Sequence, residues 1–138
     1  MRRRVFTLSA IAFVLFLLSA GSVFAMDDAG APVDIFVDSQ MVVDARILIK
    51  QVDSYGAAWL VIHVLKGGVV GDVVGYAAVT DGMTQYLPVA LDMKKISKDL
   101  IAVLHVDRGV VGIFEFPGDD TIAKAGGAEV KVPFTVDY

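Results

Sequence analysis

The chain contains 138 residues, of which 56% are hydrophobic, and its 12 basic and 16 acidic side chains give a formal net charge of −4. This acidic balance argues against nucleic-acid binding, which requires clustered lysine and arginine. The chain has no cysteine, which excludes disulfide bonds, a lipid-anchored cysteine and thiolate metal ligands.

Residues 1–25 are predicted to be a signal peptide that is removed on export. Three arginines at positions 2–4 precede an apolar run from Val5 to Leu18, and the small residues Val23 and Ala25 have the usual spacing before a cleavage site. A membrane anchor is the alternative interpretation, because the apolar run is almost long enough to span a bilayer. The small residues at its end favour cleavage.

The mature chain is therefore expected to begin at Met26 and to be periplasmic, cell-surface or extracellular. Loss of the three arginines changes its formal charge from −4 to −7. We expect a short linker at residues 26–33, one domain at residues 34–138 and no membrane span in the mature form. A domain of this length can bury a substantial single core.

The mature sequence is typical of an all-β domain. Short runs rich in β-branched residues alternate with clusters of glycine, aspartate and proline, and no segment has a convincing helical repeat. This pattern predicts an antiparallel two-sheet β-sandwich of seven to eight strands, immunoglobulin-like or cupredoxin-like. The predicted strands are Asp34–Asp38, Val42–Val52, Ala58–Leu65, Val73–Val79, Gln85–Asp92, Leu100–Asp107, Gly112–Phe116 and Glu129–Val136.

Two predicted strands, AWLVIHVL and LIAVLHVD, are apolar on both alternating faces, as central strands are. If they are antiparallel neighbours, matching their midpoints pairs His63 with Ile101 and His105 with Trp59. The core face is then predicted to consist of Leu60, Ile62, Val64, Leu100, Ala102, Leu104 and Val106. In this register we also expect the imidazole of His105 to contact the indole of Trp59.

The two histidines of the chain lie in a repeated segment. VIHVLKGGVVG begins at Val61 and VLHVDRGVVG begins at Val103, and seven of ten aligned positions are identical. Each copy predicts a strand, a glycine turn and a following strand, so two similar hairpins are expected.

A shared metal site at His63 and His105 is the functional interpretation, because imidazole suits copper and zinc. The structural interpretation is two histidines on the outer face of a sheet. In the predicted register they stand four residues apart along the strands, or about 13 Å at 3.3 Å per residue. This spacing favours the structural interpretation and no cofactor.

The other polar clusters carry less chemistry. Asp107, Asp119 and Asp120 are candidate calcium ligands at the end of a loop, although aspartate in FPGDD is also ordinary turn chemistry. The chain contains no glycine-rich phosphate loop, no nucleophile elbow and no carboxylate–histidine pair at a recognisable spacing. We predict that the protein is not an enzyme.

Four segments in chain order resemble a family of secreted archaeal and bacterial domains that has no assigned function. They are DSQ at Asp38–Gln40, WLVIH at Trp59–His63, VVGYAAV at Val73–Val79 and LIAVLHVDRGVVGIFEFPGDD at Leu100–Asp120. The chain departs from the family's Asp-Gln pair by the inserted Ser39. The resemblance covers nearly the whole mature chain and implies an extracytoplasmic β-sandwich module without implying a reaction.

The sequence thus predicts an exported, non-catalytic module that binds a protein or an envelope polymer, or associates with itself. The predicted contact surface is an exposed patch on the outer face of the two central strands, because such patches usually mark contacts. It consists of Trp59, Val61, His63, Ile101, Val103 and His105. The competing interpretation is that another segment covers this face and makes it a second core layer. The alternative function is copper or zinc binding by His63, His105 or both.

Overall fold

A computed structural model describes residues 32–138, so the predicted signal peptide and most of the predicted linker lie outside the described residues. The described residues contain eleven strands. They are β1 (Asp34–Phe36), β2 (Gln40–Met41), β3 (Arg46–Ser54), β4 (Ala58–Lys66), β5 (Val69–Val79), β6 (Gly82–Ala90), β7 (Asp99–Val106), β8 (Thr121–Ile122), β9 (Lys124–Ala125), β10 (Ala128–Glu129) and β11 (Lys131–Asp137).

The strands form a β-sandwich, which confirms the predicted fold class. One sheet has the order β2-β11-β7-β4-β5, with β8 pairing with β7, and the second has the order β1-β3-β6. Strands β9 and β10 form a separate two-stranded ladder. Strands β11 and β2 are parallel, whereas the other paired strands are antiparallel. Within residues 32–138 there is no helix with the length and apolar character needed to cross a membrane.

The core lies between the two sheets and contains the residues predicted for it. Leu60 and Ile62 of β4 and Leu100 of β7 are completely buried, and they pack with Ile49 and Val52 of β3. The remaining predicted members, Val64, Ala102, Leu104 and Val106, belong to or pack against the same cluster. Alternation of side chains along β4 and β7 therefore assigned the inward face correctly.

The register of the two central strands is also confirmed. Strands β4 and β7 are antiparallel neighbours that pair Trp59 with His105, Val61 with Val103 and His63 with Ile101.

Several predicted strand bounds were wrong, and one predicted strand does not form. Strand β3 begins at Arg46 instead of Val42, because Asp44 and Ala45 have positive φ angles of 50° and 55° and form a turn. Residues 112–116 do not form a strand; they belong to a loop between Asp107 and Asp120. The second copy of the repeat therefore does not form the expected hairpin. The first copy does, and in it Lys66 pairs with Val69 across Gly67 and Gly68.

The segment Asp38–Gln40 connects the two sheets. The backbone of Gln40 pairs with β11 in the larger sheet. Its side-chain Oε1 accepts a hydrogen bond from the Leu48 amide (2.8 Å), and its Nε2 donates to the Leu48 carbonyl (3.0 Å) in the smaller sheet. The hydroxyl of Ser39 accepts a bond from the Thr135 amide (3.1 Å). The inserted serine therefore adds a contact to β11.

Candidate two-histidine site

The outer faces of β4 and β7 form a second buried layer. The predicted exposed patch is wrong, because relative exposure is 9% for Trp59 and 5% or less for Val61, His63, Ile101, Val103 and His105. The structure does bring all six residues together on one face, as the register required. The competing interpretation, a second core layer beneath another segment, is confirmed.

The covering segment is the loop between Asp107 and Asp120, through two aromatic rings. The Phe116 ring centroid lies 4.7 Å from that of His105 and 5.6 Å from that of His63. Phe114 lies 5.6 Å from Trp59 and 4.4 Å from Tyr76 of β5. The two phenylalanine rings therefore cover the outer layer and exclude water from its polar atoms.

Asp120 holds this loop in place. Its carboxylate accepts hydrogen bonds from the amides of Arg108 (2.8 Å, to Oδ1) and Glu115 (2.6 Å, to Oδ2), and the side chain is 1% exposed. Asp107 accepts a bond from the Gly112 amide (2.8 Å). Backbone amides of this loop thus donate to carboxylates instead of to a neighbouring strand, which explains why residues 112–116 are not a strand.

The three candidate calcium ligands do not converge. Both carboxylate oxygens of Asp120 already accept backbone amides, and one oxygen of Asp107 does so. Asp119 is exposed. Within residues 32–138 no three histidine, aspartate or glutamate side chains are grouped so that they could hold a metal ion.

His63 is oriented by a bulge in the neighbouring strand. Pairing between β4 and β5 shifts register on both sides of His63, and its Nδ1 lies 2.9 Å from the carbonyl oxygen of Gly71. A Cβ atom at Gly71 would lie 2.8 Å from Cγ2 of Val64, so only glycine fits this close approach of β5 without a shift. The bulge therefore aims the Gly71 carbonyl at the imidazole.

His105 is oriented from the opposite side. Its Nδ1 lies 3.1 Å from the carbonyl oxygen of Asp120, just before β8 pairs with β7. Because a carbonyl only accepts, Nδ1 carries a proton in both histidines, and in the neutral form of this tautomer Nε2 presents a lone pair.

The two Nε2 atoms are buried and have no hydrogen-bond partner within residues 32–138. Within an imidazole, Nδ1 and Nε2 lie on opposite sides of the ring. Nδ1 of His63 is directed towards β5, and Nδ1 of His105 towards the loop and β8. The two Nε2 lone pairs are therefore directed inward, towards the boundary between β4 and β7.

The imidazole rings are much closer than their backbones. Their centroids are 6.1 Å apart, and their planes differ by 25°. The estimate of about 13 Å is the distance between the two backbone positions along the strands. The rings are closer than this because both side chains extend towards each other across the paired residues Val61 and Val103. The expected His105–Trp59 ring contact is replaced by contacts of His105 with His63, Phe114 and Phe116.

Burial lowers the pKa of His105 below its ordinary value of 6.5, and this outweighs the opposing effect of its hydrogen bond to the Asp120 carbonyl. The nearby imidazole of His63 also lowers this pKa. A buried imidazole in apolar surroundings favours the neutral form. The Nε2 lone pair of His105 is thus free of a proton at neutral pH.

Sequence reasoning found both histidines and missed the residues that complete their surroundings. Phe114 and Phe116 are two aromatic residues within a glycine-rich loop. Large apolar side chains in such a loop were the sequence signal that could have indicated a buried contact. The role of Gly71 depends on a bulge that no local pattern reveals. The role of Asp120 depends on amides five and twelve residues away in the chain.

The chain belongs to the family described as a domain of unknown function (DUF7282), whose model matches residues 33–137. Comparison with curated proteins and with solved structures found no match. The family resemblance seen in the sequence is confirmed over nearly all of the described residues.

Proposed function

We propose that this protein is an exported, non-catalytic metal-binding module that uses Nε2 of His63 and Nε2 of His105. The observation that carries the proposal is the pair of buried nitrogens without partners. Buried polar atoms are nearly always hydrogen-bonded, and an exception calls for an explanation such as a bound ion. Within residues 32–138 these two exceptions are of the same chemical type and belong to rings whose centroids lie 6.1 Å apart.

The orientation of both rings supports the same function. Histidines that bind metals usually donate their other ring N–H to a carboxylate, a backbone carbonyl or water, which fixes the tautomer. His63 does this with the Gly71 carbonyl and His105 with the Asp120 carbonyl. Two elements from different parts of the chain thus prepare the two rings in the same way.

The separation of the rings fits one ion. With a metal–nitrogen bond of about 2 Å and about 1.2 Å from Nε2 to the ring centre, two imidazoles in line across an ion have centroids about 6.3 Å apart. The observed separation is 6.1 Å.

Equilibrium dialysis tests the proposal. Protein expressed from the full chain without a histidine tag is dialysed against copper or zinc salts under reducing and oxidising conditions, and bound metal is measured. We expect one ion per chain, lost in both His63→Gln and His105→Gln. Ile101→Val lies in the same layer and retains both imidazoles, so it controls for loss of stability. Binding that survives both glutamine substitutions would contradict the proposal.

A second candidate function is binding of a protein partner at the apex of the covering loop. The predicted patch is buried, but the apex of the covering loop exposes Val110, Val111 and Ile113, which are 56%, 73% and 55% exposed. A neighbouring group of exposed apolar side chains favours contact with another surface. Self-association measured by sedimentation, and its loss in a Val110→Ser, Val111→Ser double variant, tests this function. A monomer at all concentrations would contradict self-association.

A further inference from the structure

We infer that the ion bound between His63 and His105 is monovalent copper, held by two nitrogens nearly in line. This inference rests on the proposed function and specifies its ligand. Three features of the site carry it: the number of donors, the charge of the surroundings and the separation of the rings.

The nitrogen donors are few and uncharged. Each imidazole offers one Nε2 atom, Val61 and Val103 are paired between the two histidines on β4 and β7, and Phe116 packs against both rings. Among residues 32–138 two further buried side-chain atoms have no partner: Nε1 of Trp59, which carries a hydrogen and cannot act as a ligand, and Oδ1 of Asp107, whose other oxygen accepts the Gly112 amide. Zinc prefers four tetrahedral ligands and divalent copper a square-planar set, whereas monovalent copper is satisfied by two.

The surroundings also favour a single positive charge. The cost of moving an ion into a medium of low dielectric constant rises with the square of its charge, so a divalent ion without a compensating anion is strongly disfavoured. Both carboxylate oxygens of Asp120 are engaged by the amides of Arg108 and Glu115, and one oxygen of Asp107 is engaged by the amide of Gly112.

Ring separation is compatible with the in-line geometry. A tetrahedral angle at the ion would place the imidazole centroids about 5.2 Å apart, with the same bond of about 2 Å. The observed 6.1 Å is closer to the in-line value. Phe116, which packs against both imidazoles, also limits access of oxygen and water and so slows oxidation of the bound ion.

Competition with bicinchoninate under anaerobic conditions tests this inference, with cuprous acetonitrile as the metal source. We expect the protein to remove one Cu(I) per chain from the chelator, and to bind Zn²⁺ at least about a hundredfold more weakly because two donors leave zinc unsaturated. The X-ray absorption edge of the copper complex should have the intense pre-edge feature of two-coordinate Cu(I).

Two variants sharpen the result. His63→Met exchanges a nitrogen for a thioether, which is a good ligand for Cu(I) and a poor one for zinc, so copper binding should persist while residual zinc binding disappears. Phe116→Leu retains both nitrogens, and its copper complex should oxidise faster in air. If circular dichroism shows that His63→Met is misfolded, the inference is tested by the chelator competition of the unaltered protein and by the oxidation rate of Phe116→Leu.

The outcomes separate the two proposals. Stoichiometric Zn²⁺ or Cu²⁺ binding that requires both histidines, with Cu(I) bound no more tightly, would overturn the inference and leave the proposed function in place. Failure of every metal to bind would overturn both, and would assign the two Nε2 atoms to a bridging water molecule.

Discussion

His105 illustrates how a single side chain can set the acid sensitivity of the domain. Its pKa in the folded protein is lowered, mainly by burial, whereas in the unfolded chain it is near 6.5. The unfolded state therefore takes up a proton first as the pH falls. Stability from the neutral imidazole is complete above pH 6.5 and is lost as the pH falls from there through the lowered folded-state pKa.

We predict that metal-free protein becomes less stable as the pH falls below about 6.5, and that this decrease is smaller in His105→Gln, whose side chain does not titrate. Urea unfolding with a chelator present measures both slopes. Comparing the two proteins cancels the contribution of the carboxylates, which they share. Equal slopes would show that His105 protonates as easily in the folded protein as in the unfolded chain.

Asp120 is buried and its neighbour Asp119 is exposed. The same substitution at the two positions therefore compares a buried carboxylate with an exposed one. Asp120→Asn should cost about 1–3 kcal/mol, because an amide NH₂ would face a backbone N–H that now donates to the carboxylate. Asp119→Asn, at an exposed position, should change stability by less than about 0.5 kcal/mol. Urea unfolding measures both. Amide hydrogen exchange at Arg108 and Glu115 should become faster in Asp120→Asn alone.

At the scale of the strand, β4 and β7 contribute to two apolar layers at once. Their inward side chains form the sandwich core, and their outward side chains form the layer beneath Phe114 and Phe116. Both apolar faces of these strands were visible in the sequence. The identity of the second covering element was not, because a loop with exposed valines at its apex has no strand or helix periodicity.

Leu104→Ala should reduce the free energy of unfolding by about 2–5 kcal/mol, the usual range for a buried leucine and the cavity that its removal leaves. Leu104 is 1% exposed, whereas Leu48 on β3 is 47% exposed, so Leu48→Ala is the control and should cost much less. Chemical denaturation measures both. Similar losses for the two variants would place Leu104 outside the core.

At the scale of the whole molecule, the pattern of β-branched residues and turns was sufficient to predict the sandwich and the pairing of its central strands. The close approach of the two imidazoles was not predictable, because backbone spacing does not determine where long side chains lean. The loop between Asp107 and Asp120 was not predictable either. Its path depends on carboxylate–amide bonds between residues that are neighbours only after folding.

The side chain of Gln40 has a consequence for how copies of this protein behave in concentrated solution. Strand β1 pairs with β3 only from Gln51 to Asp53, and Gln40 then occupies the amide and carbonyl of Leu48 on the same edge. Unpaired edges of this kind are templates for aggregation. Gln40→Ala should therefore aggregate faster on prolonged incubation, as light scattering would measure. Gln85→Ala, at an exposed position on β6, is the control and should remain as clear as the unaltered protein.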